Sequence, residues 1–196
     1  TFDINTDGID YIVGDIHGCF TKLQNKLNSI GFDPSKDRLF CTGDMVDRGD
    51  ESHKALEWLS KPWFYSVMGN HELMLQNHVE GYLTAYKYGY NGGDWFVFLC
   101  DDNLKRDFYE SFSELPIIIE LNTAKGLVVI VHSQIVGTYY DDFKKELLSN
   151  DKKQSDRMLD VALWSKDRIL KLQSNNIVGV HAVVSGHTSV DEPTIL

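Results

Sequence analysis

Short apolar runs that end abruptly in glycine and a polar residue recur along this chain. Tyr11-Ile12-Val13 leads into Gly14-Asp15, Leu39-Phe40-Cys41 leads toward Gly43-Asp44, and the run 64–68 leads into Gly69-Asn70. Apolar runs of this length bounded by glycine predict strands that finish in loops. Between them the spacing changes. Leu23, Leu27 and Ile30 share one face of a helix over 19–30 that Gly31 stops, and Ala55, Leu56, Trp58 and Leu59 predict a second helix closed by Pro62. A third helix is expected to start near His71. The order β-α-β-α-β predicts a sheet with covering helices. Open α/β sheets bind their ligands beyond the C-terminal ends of the strands, which is where the Gly-Asp and Gly-Asn pairs fall.

The segment 81–93 breaks this rhythm with Tyr82, Tyr86, Tyr88 and Tyr90 and closes on Asn91-Gly92-Gly93. It reads either as a cap facing substrate or as aromatics packed over a core. Apolar runs return at 117–121 and 127–131, a hairpin or two neighbouring strands of a second sheet, and the latter run delivers His132. A mixed, charged helical stretch is expected around 156–172. Ala182-Val183-Val184 then delivers Ser185-Gly186-His187. No repeat, low-complexity tract or linker interrupts the chain, so a single domain over 1–196 is expected.

Composition narrows the function classes. Of 196 residues 42% are hydrophobic and 24% charged, the ordinary globular mix. The net charge is −10, from 29 acidic against 19 basic residues. A nucleic-acid binder needs a basic face, so none is expected as a partner. Cys19, Cys41 and Cys100 are odd in number and far apart, which favours neither a disulfide framework nor a zinc ribbon. With no membrane-length apolar segment and no signal pattern, a cytoplasmic location is expected. Nothing in the pattern selects an oligomeric state.

The polar residues at the strand ends carry the chemistry. They are Asp15 with His17, Asp44 with Asp47 and Arg48, Asn70 with His71, and later His132 and His187. Carboxylate, carboxamide and imidazole together suit divalent metals of hard to intermediate character. Asp15 and His17, two apart on a turn, can reach one ion, and the two oxygens of Asp44 can bridge a pair. Any one of these residues alone reads more simply as a cap, a turn residue or a hydrogen-bonded histidine. Five strand ends each bearing a ligand-type residue are not explained as caps. His53, His78 and His181 lie outside this set and read as ordinary structural histidines.

The segments Gly14-Asp15-Ile16-His17-Gly18, Gly43-Asp44-Met45-Val46-Asp47-Arg48-Gly49 and Gly69-Asn70-His71-Glu72 resemble the signature blocks of the PPP-type serine/threonine phosphatases, within the calcineurin-like metallophosphoesterases. His132 and Gly186-His187-Thr188 resemble the two later histidine blocks. Lys61-Pro62-Trp63-Phe64 and Asn91-Gly92-Gly93-Asp94-Trp95-Phe96 extend the likeness to the lambda-type subgroup of phage and small bacterial enzymes.

The resemblance implies an α/β (α+β) fold, a two-sheet β-sandwich flanked by helices. It implies two divalent ions, manganese first, with zinc, iron or magnesium also suited. Asp15, His17 and Asp44 would hold one ion, and Asp44, Asn70, His132 and His187 the other, with Asp44 bridging. A metal-bridging hydroxide would attack phosphorus, His71 would protonate the leaving oxygen and Asp47 would orient His71. Arg48, Asn70, His71, Lys166 and Arg168 would contact substrate, Arg48 through its planar fork. Phosphoprotein or phosphopeptide substrates are implied, on serine and threonine with tyrosine as an additional class.

Three departures and a rival qualify this. Met68 and Lys166 stand where the resemblance expects phosphate-binding arginines, and lysine lacks the bidentate fork. The family continues beyond the Gly-His-Thr block, so the C-terminal strands are expected to be missing from a chain that stops at Leu196. Symmetrical dinucleoside polyphosphate hydrolases share the metal blocks. They tend to lack the acid at the position of Asp47 and to carry Asp in place of Glu72, so the phosphatase reading is preferred.

Overall fold

The computed structural model describes residues 1–173, 176–192, 194 and 195. Strands β1 (Asp10–Val13), β2 (Arg38–Cys41) and β3 (Phe64–Ser66) form a parallel sheet in that order. Parallel neighbours need crossovers. Helix α1 (Phe20–Ser29) supplies the first, and α2 (Ala55–Leu59), entered through a 3-10 turn at Ser52–Lys54, supplies the second. This is the β-α-β-α-β order expected from the pattern, with His53 in the 3-10 turn.

Helix α3 (Asn70–Val79) starts directly behind the third strand end. Helix α4 (Ala85–Tyr88), an irregular turn over Gly89–Gly93, α5 (Asp94–Leu99) and α6 (Asp102–Ser113) follow. The second sheet holds the hairpin β4 (Ile118–Thr123) and β5 (Gly126–Val131), with β6 (Ala182–Val184) parallel to β5.

Helices α7 (Tyr140–Leu147), α8 (Lys152–Trp164) and α9 (Asp167–Leu170) lie between β5 and β6 in the chain. The single helical stretch expected around 156–172 is therefore two helices and begins earlier. Asp151 caps α8 by accepting the Lys153 N–H at 3.0 Å. The break falls at Ser165, which is extended at ψ 131°. The Ser133 hydroxyl donates to the Ser165 carbonyl, and the Gln134 amide donates to its hydroxyl at 2.7 Å. These tertiary hydrogen bonds override a sequence that could continue as helix.

The two sheets share a core. Phe40 and Val67 from the first meet Ile119, Leu121 and Ile130 from the second. Phe2 ties the sheets together. It pairs with Leu121 and packs edge-on against Phe40 and Tyr65, with ring centroids 5.0 and 4.6 Å away. On the outer faces, Phe20, Trp58, Leu75, Phe96 and Phe108 cover the parallel sheet, and Tyr140, Phe143, Met158 and Ala162 cover the other. The outcome is a two-sheet sandwich with helices on both outer faces. Fully burying a side chain of this size contributes about 1.5–3 kcal/mol, so the layers form a stiff platform beneath the loops.

Candidate active site

The loops after β1, β2, β3 and β5, with the turn after β6, meet at one edge of this platform. Two groups of potential ligand atoms form there: His17, Asp44 and His71, and Asp44, His132 and His187. Asp44 belongs to both. Its Oδ2 faces His17 Nε2 at 3.7 Å and His71 Nε2 at 3.9 Å, while its Oδ1 faces His132 Nε2 at 3.4 Å. The Asn70 Oδ1 completes the second group, 2.8 Å from both His132 Nε2 and His187 Nδ1.

Tautomers follow from the outer hydrogen bonds. His17 Nδ1 donates to the Val46 carbonyl at 2.9 Å, His132 Nδ1 to the Thr42 carbonyl at 2.8 Å, and His187 Nε2 to the Trp164 carbonyl at 3.2 Å. A carbonyl can only accept, so each of these nitrogens carries the proton and the other presents a lone pair inward. Burial pulls His17 and His132 below the ordinary imidazole pKa. For His187, burial and then the neighbouring His132 bring it to about 4. Neutral imidazoles are the form that ligates metals.

Around Asn70, three lone-pair atoms lie 2.8–3.1 Å apart with no proton between them. An octahedral ion with bonds of about 2.1 Å holds neighbouring donors about 3 Å apart. In the first group a cation already faces the lone pairs. The Arg48 guanidinium donates to His17 Nε2 at 2.7 Å and to His71 Nε2 at 3.0 Å. The donor set therefore fits divalent cations.

Backbone strain concentrates at the same place. Among the described residues other than glycine, His17, Asp44, Asp47, Arg48, His187 and Leu172 have positive φ, and five of these six line the site. Such conformations cost on the order of 1–3 kcal/mol each and persist where the surroundings dictate them. For Asp44 the device is Glu72, fully buried at the start of α3. Glu72 Oε2 accepts the N–H groups of Asp44 at 2.8 Å and Gly69 at 2.9 Å, and Oε1 accepts that of Met45 at 2.8 Å. Burial drives the Asp44 and Glu72 carboxyls upward, and the Asp15 charge raises Asp44 further while the Asp44 charge raises Glu72. The sequence pattern offered a signal for this role, since Glu72 sits where an N-terminal helix residue reaches back to the preceding backbone.

Asp15 stands differently from the other expected ligands. Its two oxygens accept the His187 N–H at 3.0 and 3.1 Å, and the Thr42 hydroxyl lies 3.4 Å away. It does not share a close group with His17 and Asp44, although its charge is felt at His17, Asp44, His132 and His187. Gly186 makes this approach possible, because a Cβ there would meet Asp15 Oδ1 at 2.1 Å.

His71 Nδ1 bonds Asp47 Oδ2 at 2.7 Å, and both side chains are buried. Burial pulls His71 down, but the Asp47 hydrogen bond and the Asp44 and Asp47 charges outweigh it, so its pKa is raised. Lys166 is exposed at the start of α9, near enough for its charge to lower His187. The Arg168 N–H donates to the Gln134 side chain at 2.8 Å. Met68, at the position of an expected arginine, is buried, and its N–H donates to the Pro116 carbonyl at 2.8 Å. Neither His53, His78 nor His181 joins a metal-ligand group among the described residues. His53 and His181 are exposed, and His78 Nδ1 donates to the Leu83 carbonyl at 3.0 Å.

This combination is a candidate metal site carrying its own arginine and a buried Asp-His pair. The calcineurin-like phosphoesterase family matches residues 11–191, and the chain belongs to that family. It is 37% identical over 199 residues to serine/threonine-protein phosphatase 2 of Salmonella typhimurium, covering 98% of this chain and 86% of the relative. A symmetrical bis(5'-nucleosyl)-tetraphosphatase of Histophilus somni is 31% identical over 174 residues, 80% of this chain and 60% of that one. In a crystal structure of a putative diadenosine tetraphosphatase the same fold recurs with a TM-score of 0.52 at 27% identity. That match covers 67% of this chain, which spans about half (53%) of the solved one.

Proposed function

We propose that this chain is a metal-dependent serine/threonine protein phosphatase with two divalent ions, manganese by preference, that also accepts phosphotyrosine. The observation that carries this reading is the placement of Asp44, with one carboxylate oxygen toward each of two donor groups. Asp15, His17 and Asp44 are assigned to one ion, and Asp44, Asn70, His132 and His187 to the other. For Asp15 the support is electrostatic, since its charge is felt at His17 and Asp44. Bound divalent ions supply Lewis acidity and a water whose pKa falls toward neutrality. The exposed Arg48 guanidinium holds phosphoryl oxygens, with Asn70, Lys166 and Arg168 as further contacts. His71 gives its Nδ1–H to Asp47 and turns Nε2 toward Arg48, so that once phosphoryl oxygens take the Arg48 donors Nε2 would be released to carry the proton for the leaving oxygen.

The phosphatase-named relative aligns over more of its length than the tetraphosphatase-named one. Asp47 and Glu72 favour the same reading, because both are built into the site. Three free cysteines, two of them buried, suit a reducing, cytoplasmic setting. Among the described residues no helix is long and apolar enough to cross a membrane.

The test is an assay of metal-stripped protein reloaded separately with manganese, zinc, iron or magnesium, against phosphoserine peptides and diadenosine tetraphosphate. Faster turnover of the phosphopeptide is expected, with the highest rate in manganese. Preference for the dinucleotide under every metal would replace this reading with the polyphosphate hydrolase.

A further inference from the structure

The Asp47 side chain is wholly buried, and every neighbour hydrogen-bonded to it donates. Oδ2 takes the His71 Nδ1–H at 2.7 Å. Oδ1 takes the Tyr88 hydroxyl at 3.0 Å and the Trp95 indole N–H at 2.8 Å. Indole N–H can only donate. Burial and the Asp47 charge hold the Tyr88 phenol far above its ordinary pKa, so it too keeps its proton. Two neutral donors thus stabilise one carboxylate oxygen, leaving the other to fix the His71 ring.

Tyr88 comes from the segment 81–93 that the strand pattern left unexplained, and Trp95 follows just beyond it. Tyr88 ends α4 and Trp95 lies in α5, while Tyr82, Tyr86 and Tyr90 of the same segment are exposed. The turn between the helices is pinned to the site, because the Gly92 carbonyl accepts the Arg48 N–H at 3.2 Å. Gly92 has φ 101°, and a Cβ there would meet the Arg48 nitrogen at 2.7 Å. A side chain would push the turn away and carry Tyr88 and Trp95 with it.

We propose that Trp95 and Tyr88 are positioning residues for proton delivery: they anchor Asp47 so that His71 presents Nε2 to the leaving oxygen. The assignment rests on the phosphatase reading above. The competing role is packing alone, since the Trp95 ring also meets Phe108 edge-on at 5.1 Å.

Trp95→Phe and Tyr88→Phe remove one donor each and keep an aromatic ring. In manganese-loaded protein each should lower kcat on a phosphoserine peptide by about 5- to 50-fold, less than the roughly 10²–10⁴-fold that losing the general acid itself costs. Turnover of p-nitrophenyl phosphate, whose leaving group needs little protonation, should fall several-fold less. In a His71→Asn background neither change should lower phosphoserine turnover much further, because the group they act through is gone. Tyr88→Phe stands as the second reporter should Trp95→Phe fold poorly. Equal slowing of both substrates, or full additivity with His71→Asn, overturns the positioning role while leaving the phosphatase reading intact. Equal slowing of both substrates by His71→Asn itself would overturn the general-acid role and this assignment together.

Discussion

Glu72 accepts the backbone N–H of Asp44 at 2.8 Å, so a buried carboxylate holds in place the residue whose own carboxylate serves both donor groups. Asp44 is left-handed at φ 52°, and the Glu72 oxygens also take the N–H groups of Met45 and Gly69. Glu72→Gln replaces one accepting oxygen by a donor and confronts at least one of these buried N–H groups with another N–H. A buried donor left unsatisfied costs about 1–3 kcal/mol. Urea denaturation should show a loss of that order, together with weaker metal binding by isothermal titration calorimetry. An unchanged midpoint and unchanged metal affinity would remove Glu72 from the support of the site.

Metal stoichiometry separates Asp44 from Asp15. Two ions per chain are expected by elemental analysis after manganese loading. Asp44→Asn should abolish activity and reduce the content of both ions, since its oxygens face both groups. Asp15→Asn should leave measurable activity and one ion, because Asp15 is assigned to one ion only whereas Asp44 faces both groups. Equal residual activity in the two variants would argue against Asp44 as the shared ligand.

His71→Asn tests the general acid. The variant should keep both ions and slow phosphoserine-peptide hydrolysis by roughly 10²–10⁴-fold. The loss on p-nitrophenyl phosphate should be much smaller. Asp47→Asn should follow the same pattern more weakly, because Asp47 acts through its 2.7 Å bond to His71. Loss of metal from His71→Asn would make His71 a ligand, consistent with its place beside His17 and Asp44.

Acid stability has a separate reporter far from the site. Burial alone would raise Glu120, but hydrogen bonds from Lys144, Thr1 and Tyr140 outweigh it and hold the carboxyl at about 2. Lys144 Nζ stands 2.6 Å from Glu120 Oε1, and the Tyr140 hydroxyl donates to that same oxygen at 2.7 Å. A carboxyl depressed on folding adds stability above its unfolded pKa of about 4.3, and that contribution is lost as the pH falls toward 2. Guanidinium unfolding of wild type and Glu120→Gln between pH 6 and pH 2 should give curves that converge on the acid side. Parallel curves would mean that Glu120 ionises alike in both states.

The periodicity of the chain by itself determined the β-α-β-α-β half, the two apolar strands over 117–131 and the last strand before His187. Apolar spacing and glycine stops are local properties, and the packed layers reproduce them. The polar residues at strand ends were legible for a similar reason: a strand that ends in glycine and a polar side chain delivers that side chain to the sheet edge wherever the sheet forms. Which atom each residue turns inward was not legible. The tautomers of His17, His132 and His187 are set by the carbonyls of Val46, Thr42 and Trp164, and for His132 that partner lies 90 residues away in sequence. The break at Ser165 depends on Ser133 and Gln134, and the turn of Asp15 toward His187 spans 172 positions. The tyrosines of 81–93 show the division most sharply. Four similar side chains within nine residues share one composition signal, yet only Tyr88 is buried and bonded to Asp47. Burial and hydrogen-bond direction are relations between distant segments, and only the folded chain brings those segments together.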